Sequence, residues 1–592
     1  MKSFFEGAFF DRKAPAALII FALVVIIYSG TLYAPFEFDD NEYIIQNPVI
    51  RDLGVLLEPL RSRAMIVSDS LVGYTFRSRY IGYLTFAMNF RLGGLDVEGY
   101  HIVNIVIHII NSLLVYGVLA LMMKTPYVAA VRNGDRSFSR IVPFFVSALF
   151  ACHPVQTQAV TYISQRFASL SALFCLLSFL LYLKWRLSGS ASGRVTTLLY
   201  AGSLLSAAAA MTTKEISFVL PLLIALFEFM FMEGGLRRRA AFLVPFFLAA
   251  GLVPLNMINI DKPFYEWFSD IGSVARAKTT ISRSGYLFTQ FSVIVTYLRL
   301  LFLPVNQSLD YDFPLYESFF EGGVLVPLLL LLSIAALGGC LWRRPGAANR
   351  FTAFGIFWFF IALSVESSII PTNDLAFEHR LYLPSAGFFI AFVSSVVALH
   401  SVIQKKYPLV QRYAAVLFLM VVVVFSIAAY ERNGIWNDGE TLWQDVILKS
   451  PKKARGYNEL GRVYYGRNET NKAITEYKKA AALLPSFAWA HHNLSLAYYK
   501  QGLYDEALRE ANISMELGMS KAIVFGDLGA IYFKKGMLKE AADCFMAAVE
   551  EDSTNANAYY NLAVVYRTMG IEDKALENFE KARRLRPDTA GP

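Results

Sequence analysis

The C-terminal part of the chain repeats every 34 residues, and this period constrains the fold more than any other feature. Four leucines mark the period: Leu460, Leu494, Leu528 and Leu562. A period of this length is typical of a solenoid built from helix pairs, because one pair cannot bury its apolar face alone and must stack on its neighbours. We therefore predict an all-α array in this region.

The residues around each leucine identify the repeat as the tetratricopeptide repeat (TPR). Small residues follow the leucines and let the two helices of a repeat approach closely, while aromatic residues fill the space between repeats. The small residues after the leucines are Gly461, Ser495, Gly529 and Ala563. The aromatic residues are Tyr464, Tyr498, Tyr532 and Tyr566. The second helices carry small residues at Ala473, Ala507, Ala541 and Ala575. Trp443 and Pro451 fit the second half of an earlier repeat. The array therefore comprises half a repeat and four full ones.

The preceding part of the chain has the composition of a membrane protein. The chain is 55% hydrophobic, above the share of about 45–50% typical of globular domains. A span needs about 20 mostly apolar residues, and eleven segments meet this need: 15–34, 101–123, 141–159, 167–185, 196–212, 216–232, 240–259, 322–342, 351–370, 382–402 and 411–430. We predict a polytopic helix bundle over 1–432, with a retained first span, and a TPR domain over 433–592.

Charge placement predicts the topology of this bundle. A twelfth segment, 286–304, is less apolar because it carries Gln290, Thr296 and Arg299. With the N-terminus inside, all the basic clusters near the spans are cytoplasmic only if this segment does not cross. It would then be re-entrant or interfacial. Eleven crossings place the TPR domain on the non-cytoplasmic side. The topology also explains why basic clusters stand beside the spans, so the net charge of +8 does not indicate nucleic-acid binding.

Polar, motif-like residues concentrate on the predicted outer face. Asp39 and Asp40 follow the first span, and neighbouring carboxylates raise one another's pKa, which suits a catalytic base. The same pair could bind a metal or simply begin a solvated loop. No nucleotide-binding loop, zinc-protease motif or serine-hydrolase motif stands in a suitable context, which disfavours an ATP-driven pump and a metalloprotease.

Basic residues on this face are candidates for binding the phosphate of a lipid donor. They are His153, Arg166, Lys214, Arg276, Arg283 and Arg380. The alternatives are a structural histidine, an ion pair between Lys214 and Glu215 that fixes a helical hairpin, and contacts with ordinary lipid headgroups. Asp310, Glu378 and His379 could orient sugar hydroxyls or stabilise loops.

Aromatic residues of the TPR array are candidates for binding an extended acceptor chain, or for packing in its core. The candidates on the first helices of the repeats are Tyr465, Trp489, Tyr499, Phe533 and Tyr560.

Together these motifs resemble the transmembrane-and-TPR (TMTC) family of GT-C glycosyltransferases, in a bacterial-like form. The stretches that carry the resemblance are 38–40 with 47–48, 99–104, 153–160, 170–174, 214–215, 303–310, 380–385 and 432–436. Related O-mannosyltransferases have an Asp-Glu pair where this chain has Asp39-Asp40. The family also has a Glu close behind the His-Pro motif, and none stands near Arg166 here.

The resemblance implies transfer of a sugar from a polyprenyl phosphate to Ser or Thr hydroxyls of a protein held by the TPR groove. Asp39 or Asp40 would be the base, and no nucleotide sugar is needed, while a divalent metal is left open. It implies an integral membrane protein of a bacterial inner membrane or of the endoplasmic reticulum, with membrane lipids as further partners. The open alternatives are a scaffold that recruits partners through the TPR array, and a GT-C enzyme that glycosylates a lipid or a polysaccharide.

Overall fold

The computed structural model describes residues 13–57, 75–76, 78–131, 137–188, 193–257, 279, 281–406 and 411–585. The chain forms two compact units, Met1–Asp438 and Gly439–Pro592. This boundary lies six residues beyond the predicted one, because a short 3₁₀ helix, Ile435–Asn437, belongs to the first unit. All regular elements of the described residues are helical, which confirms the predicted fold class.

The first unit is the apolar bundle. Its helices of at least eleven residues are α1 (Lys13–Tyr28), α2 (Tyr80–Gly93), α3 (Val97–Met122), α4 (Ser137–Cys152), α5 (Arg166–Leu187), α6 (Arg194–Met211), α7 (Leu220–Phe231), α8 (Leu236–Ala250), α9 (Arg283–Phe302), α10 (Gly322–Arg343), α11 (Ala347–Leu363), α12 (Tyr382–Lys406) and α13 (Gln411–Gly434). Each predicted span contains one of these helices. Eight helices among the described residues are long and apolar enough to cross a membrane, or nine if one bent pair counts as a span. Eleven crossings stay a prediction.

Glycine brings α11 and α12 into close contact. A Cβ at Gly355 would lie 2.4 Å from the carbonyl oxygen of Gly387, and one at Gly387 would lie 2.7 Å from that of Gly355. Small residues allow such backbone approach between helices that lack a hydrophobic driving force in lipid. This contact fixes the two helices that flank the connector 364–381, which carries several of the candidate residues.

The predicted span 141–159 is broken. Helix α4 ends at Cys152, and the chain bends by 52° into a short helical stretch, Pro154–Val160. Proline has no backbone N–H and fixes φ, so it begins a new turn more readily than it continues a helix. The break places residues 153–165 in short turns between α4 and α5, where they meet other connectors.

The segment predicted not to cross, 286–304, is a continuous helix, α9. By length and composition it could span a membrane. Hydrogen bonds tie it along its length to the connector between α11 and α12: Tyr286 donates to the carbonyl of Glu366 (2.8 Å), Gln290 to that of Leu375 (3.0 Å) and Tyr297 to that of Phe377 (3.0 Å). These bonds fix the helix against the connector, and its interfacial placement stays a prediction.

The second unit confirms the predicted repeats. Its helices are α14 (Gly439–Lys449), α15 (Ala454–Gly466), α16 (Thr470–Leu483), α17 (Ala488–Gln501), α18 (Tyr504–Glu516), α19 (Lys521–Lys534), α20 (Leu538–Glu551), α21 (Ala556–Thr568) and α22 (Glu572–Leu585). The four leucines of the period are buried. A Cβ at Gly461 would lie 2.5 Å from the ring of Tyr477, which is why the position after the leucine must be small.

Candidate functional site

The two adjacent aspartates have different environments. Asp40 is only 1% exposed. Its Oδ1 accepts the backbone N–H of Ser164 (2.6 Å), and its Oδ2 accepts that of Glu37 (3.1 Å). Burial, opposed by these hydrogen bonds and assisted by the charge of Asp39, raises the pKa of Asp40 to about 7. Asp40 therefore locks the turn after α1 onto the break between α4 and α5.

Asp39 is the half-buried member of the pair. Its backbone N–H donates to the hydroxyl of Tyr162 (2.9 Å), and the ring of Tyr162 stacks on Trp436. The preceding residue, Phe38, has φ +50°, a region that costs a bulky residue on the order of 1–3 kcal/mol. Strain of this kind persists where surrounding contacts hold it.

Lys214 and Glu215 do not pair with each other, so the predicted hairpin ion pair is wrong. Lys214 has extended backbone angles, φ −160° and ψ 146°, and neighbouring side chains of an extended chain point in opposite directions. The Nζ of Lys214 bonds to Glu366 (2.9 Å), and Glu215 accepts from Nε and Nη2 of Arg79 (3.4 and 3.3 Å). The turn between α6 and α7 thus joins two distant segments.

The connector 364–381 ends with three buried polar residues. Arg380 donates to the carbonyls of Leu375 (3.2 Å) and Asp374 (2.8 Å), and it also contacts the hydroxyls of Tyr286 and Thr372. The carboxylates of Glu366 and Asp374 also act electrostatically on its guanidinium. Arg380 therefore joins the end of the connector to α9.

Hydrogen bonds link most of these groups: Arg79 bonds to Glu215, the adjacent Lys214 bonds to Glu366, and the hydroxyl of Tyr286 contacts both Arg380 and the carbonyl of Glu366. Together with His379, and with Asp39, which acts on the same tyrosine, Tyr43, as Arg79 does, we call them the polar cluster: Asp39, Arg79, Lys214, Glu215, Glu366, His379 and Arg380. Burial, and then the charges of Lys214, Arg380 and Arg79, lower the pKa of His379. Burial opposes ionisation of Glu215, but Arg79 holds its pKa below the usual value. Burial raises the pKa of Tyr43, whose hydroxyl also responds to both Arg79 and Asp39. The cluster therefore runs from the Asp39 turn to the connector 364–381.

Two predicted phosphate ligands have structural roles instead. His153 is fully buried; its Nδ1 accepts the backbone N–H of Val155 and its Nε2 bonds to the carbonyl of Leu301 (3.1 Å). Arg166 is also fully buried, and it donates to Asn104 (2.7 Å), Asn89 (2.6 Å) and the carbonyl of Tyr100 (3.0 Å). With their hydrogen-bonding groups engaged by the protein, both hold helices together and neither is directed at a ligand.

The predicted sugar-binding residues are also largely engaged by the protein. Glu378 is buried and accepts hydrogen bonds from Gln307 (2.6 Å), Tyr311 (2.5 Å) and the backbone of Ser308 (2.9 Å). Asp310 is 3% exposed in the same loop. Glu378 thus fixes the loop 303–310 against the connector. Arg283 is exposed at the start of α9, and Arg276 lies outside the described residues.

In the TPR unit, two of the predicted acceptor-binding tyrosines lie together. The hydroxyl of Tyr499 is electrostatically coupled to Tyr465, and that of Tyr465 to Asp527, so three successive repeats meet there. Lys500 lies over the ring of Tyr465, 4.4 Å from its centroid. Trp489 and Tyr560 are more than half exposed, while Phe533 packs against the core of the last repeats.

Sequence reasoning missed Arg79, Glu366 and Tyr162. For Arg79 a signal was available, because it is a basic residue in a predicted outer loop, the criterion that selected Arg276. Glu366 lies at the end of a predicted span and Tyr162 within the broken segment, and no local pattern distinguishes them. Among the described residues, no three His, Cys, Asp or Glu side chains are grouped so as to hold a metal ion.

Comparison with protein-family models assigns the repeats of the C-terminal unit. Models described as TPR repeat match residues 461–502 and 529–570, and one described as tetratricopeptide repeat matches 556–589. Among solved structures, the crystal structure of MamA matches with 22% sequence identity and a TM-score of 0.24. The match covers 26% of this chain and 88% of that chain.

The chain is also similar, over 79–82% of its length, to proteins named protein O-mannosyl-transferases. A protein O-mannosyl-transferase of Caenorhabditis elegans is 26% identical over 479 residues, covering 79% of this chain and 63% of the relative. Protein O-mannosyl-transferase TMTC3 of Mus musculus is 25% identical over 518 residues, covering 82% of this chain and 53% of the relative. The chain therefore spans about half to two thirds of the length of these relatives.

Proposed function

The chain belongs to the transmembrane-and-TPR (TMTC) family, and from this premise we propose that it is a membrane glycosyltransferase. It moves a sugar from a polyprenyl phosphate to Ser or Thr hydroxyls of a protein on the non-cytoplasmic face. The relatives are named protein O-mannosyl-transferases, so mannose is the sugar proposed. The observation that carries the proposal is the polar cluster. The half-buried carboxylate of Asp39 and the guanidinium of Arg79 both act electrostatically on the hydroxyl of Tyr43, and Arg79, Lys214 and Arg380 all act on the imidazole of His379.

Asp39 is the proposed base, with Asp40 as its positioning residue. The acceptor hydroxyl gives its proton to Asp39 as its oxygen attacks the anomeric carbon. The bond from that carbon to the phosphate oxygen breaks, and the phosphate leaves with the bonding electron pair. In this proposal Arg79, Lys214 and Arg380 stabilise the negative charge that develops on the phosphate. Their ion pairs and hydrogen bonds with Glu215, Glu366 and the connector hold them in place before the donor binds.

A reconstitution assay tests this function. The purified chain in lipid vesicles, supplied with polyprenyl-phosphate mannose and an acceptor protein, is expected to add a hexose mass to Ser or Thr, detected by mass spectrometry. Polyprenyl phosphate without sugar is the control. Modification of a lipid or polysaccharide with no protein product would favour the other GT-C activity. Partner binding without any transfer would favour a scaffold.

The TPR array is proposed to bind the acceptor. The array offers exposed aromatic area at Trp489, with Tyr465 and Tyr499 gathered from neighbouring repeats. Trp489→Ala combined with Tyr499→Ala is expected to raise the KM for a protein acceptor about tenfold with little change in kcat, because such contacts bind ground and transition states alike.

The matched control for this variant is Leu576→Ala, which removes an exposed apolar side chain from α22. Initial rates over a range of acceptor concentrations separate KM from kcat. A fall in kcat at unchanged KM would contradict a docking role.

The proposed topology places the TPR array on the non-cytoplasmic side. Ser553 is exposed in a turn between α20 and α21, and Gly193 is exposed before α6. In a background that lacks the native cysteines, Ser553→Cys is expected to react with an impermeant thiol reagent in intact cells or spheroplasts. Gly193→Cys, on a predicted cytoplasmic connector, should react only after lysis. The reverse pattern would exclude the eleven-span arrangement.

A further inference from the structure

A cleft of about 810 Å³ lies where the end of α10 meets the start of α11. Gly339, Cys340, Trp342 and Phe357 contribute its apolar surface, and Arg343 and Arg350 contribute two positive charges. The volume is within the range of small-molecule sites, about 300–1,000 Å³. No residue of the polar cluster lines it, and Arg350 is about 20 Å along α11 from Leu363, after which the connector to that cluster begins.

The guanidinium of Arg350 is held with part of its hydrogen-bonding capacity unused. It lies over the ring of Tyr127, 4.0 Å from the centroid. Its Nε atom is buried and has no hydrogen-bond partner among the described residues. The contact with the ring holds the guanidinium in place while Arg350 also lines the cleft. The run from Arg343 to Arg350 contains no acidic residue, and no acidic residue lines the cleft.

The glycine pair in α10 explains why the cleft exists beside a packed interface. A Cβ at Gly338 would meet Ile356 at 3.2 Å and Phe357 at 3.3 Å, so this glycine lets α10 and α11 pack together. A Cβ at Gly339 would have no atom within 4 Å. The second glycine therefore leaves open the apolar wall of the cleft.

We propose that this cleft binds the headgroup of an anionic phospholipid, with its phosphate on Arg343 and Arg350. A free phosphate would contact the two arginines but not the apolar wall. A phospholipid would contact both, because the wall continues onto exposed side chains of α10 such as Leu337 and Leu332, where an acyl chain can lie. Trp342, 37% exposed at the end of the helix, suits the depth of the headgroups. The site is distinct from the proposed donor site because the length of α11 separates them.

Native mass spectrometry of the full chain in detergent tests the proposal. Phosphatidylglycerol is expected to bind more tightly than phosphatidylcholine. Arg343→Ala combined with Arg350→Ala should weaken phosphatidylglycerol binding about 30-fold, since each arginine near a headgroup contributes about one factor of five. Arg344→Ala is the matched control, because this neighbouring arginine does not line the cleft, and it should bind like the parent chain.

Gly339→Leu provides an independent test. A Cβ at this position has no atom within 4 Å, so the substitution adds apolar volume to the wall of the cleft and should also reduce binding at least fivefold. Each variant is first checked by its elution volume and melting temperature without added lipid. Equal binding of the two lipids, unchanged binding by the double variant, or a rise in melting temperature with inorganic phosphate that equals the rise with phosphatidylglycerol would each overturn the proposal. These outcomes do not depend on sugar transfer.

Discussion

Replacing Asp39 by Asn is expected to lower the rate of sugar transfer by about 10²–10⁴-fold, the usual loss when a positioned base is removed. Asn retains the shape of the side chain but cannot accept the proton of the attacking hydroxyl. Asp39 is half-buried and its backbone, not its carboxylate, makes the bond to Tyr162. The melting temperature should therefore stay close to that of the parent chain. Transfer to a short Ser or Thr peptide and the melting temperature are the two measurements.

Two other aspartates serve as controls for this variant. Asp52→Asn changes an exposed carboxylate in the same loop, one that bonds locally to the backbone of Gly54, and should keep full activity. Asp40→Asn replaces one of the two buried acceptor oxygens by an Nδ2 group, which cannot accept the N–H of Glu37. This variant should destabilise the fold by about 1–3 kcal/mol. Full activity of Asp39→Asn would exclude Asp39 as the base.

Replacing Arg79 by Ala is expected to reduce kcat/KM for the lipid-linked donor by about 10²–10³-fold, the cost of removing one preorganised group that stabilises developing negative charge. Arg79 bonds to Glu215 and lies over the ring of Phe167 at 5.3 Å. The variant also leaves Glu215 without this partner. Donor hydrolysis in the absence of acceptor should fall by a similar factor, because the same bond to phosphate breaks in both reactions.

Two control variants distinguish a direct effect of Arg79 on the donor phosphate from its structural role as the ion-pair partner of Glu215. Arg91→Ala removes an exposed basic residue from α2, the helix that Arg79 directly precedes, and should leave transfer unchanged. Arg79→Ala together with Glu215→Gln removes both partners of the ion pair, so any loss due only to an unpaired buried carboxylate should be recovered. Recovery of activity in this double variant would show that Arg79 acts by pairing with Glu215 and not on the phosphate.

The sequence predicted the helical elements well because the signals are local. Each predicted span contains a helix, and the leucine period places every helix pair of the TPR unit. Exceptions have identifiable causes: Pro154 ends one span early, and α9 is a full helix although its polar residues weakened the signal. Those polar residues include Gln290, which bonds to the connector between α11 and α12.

The candidate site was predicted only as a set of residue types on one face. Asp39, Lys214 and Arg380 were among the candidates, and their catalytic roles stay a proposal. His153 and Arg166 were also candidates, yet they bond to the protein around them. A buried histidine or arginine that stabilises helix packing and one that faces a ligand have the same sequence signature, so no local pattern could separate the two groups.

The sequence alone therefore determined the architecture, an apolar helix bundle followed by stacked TPR helices, because period and apolarity act over a few turns of chain. Only the tertiary structure decided which polar groups meet. Asp40 takes its hydrogen bond from Ser164, 124 residues away, and Lys214 pairs with Glu366 rather than with the adjacent Glu215. Such partners are selected by how the helices pack and by the requirement that buried polar groups be satisfied. Neither condition is written in the neighbouring residues.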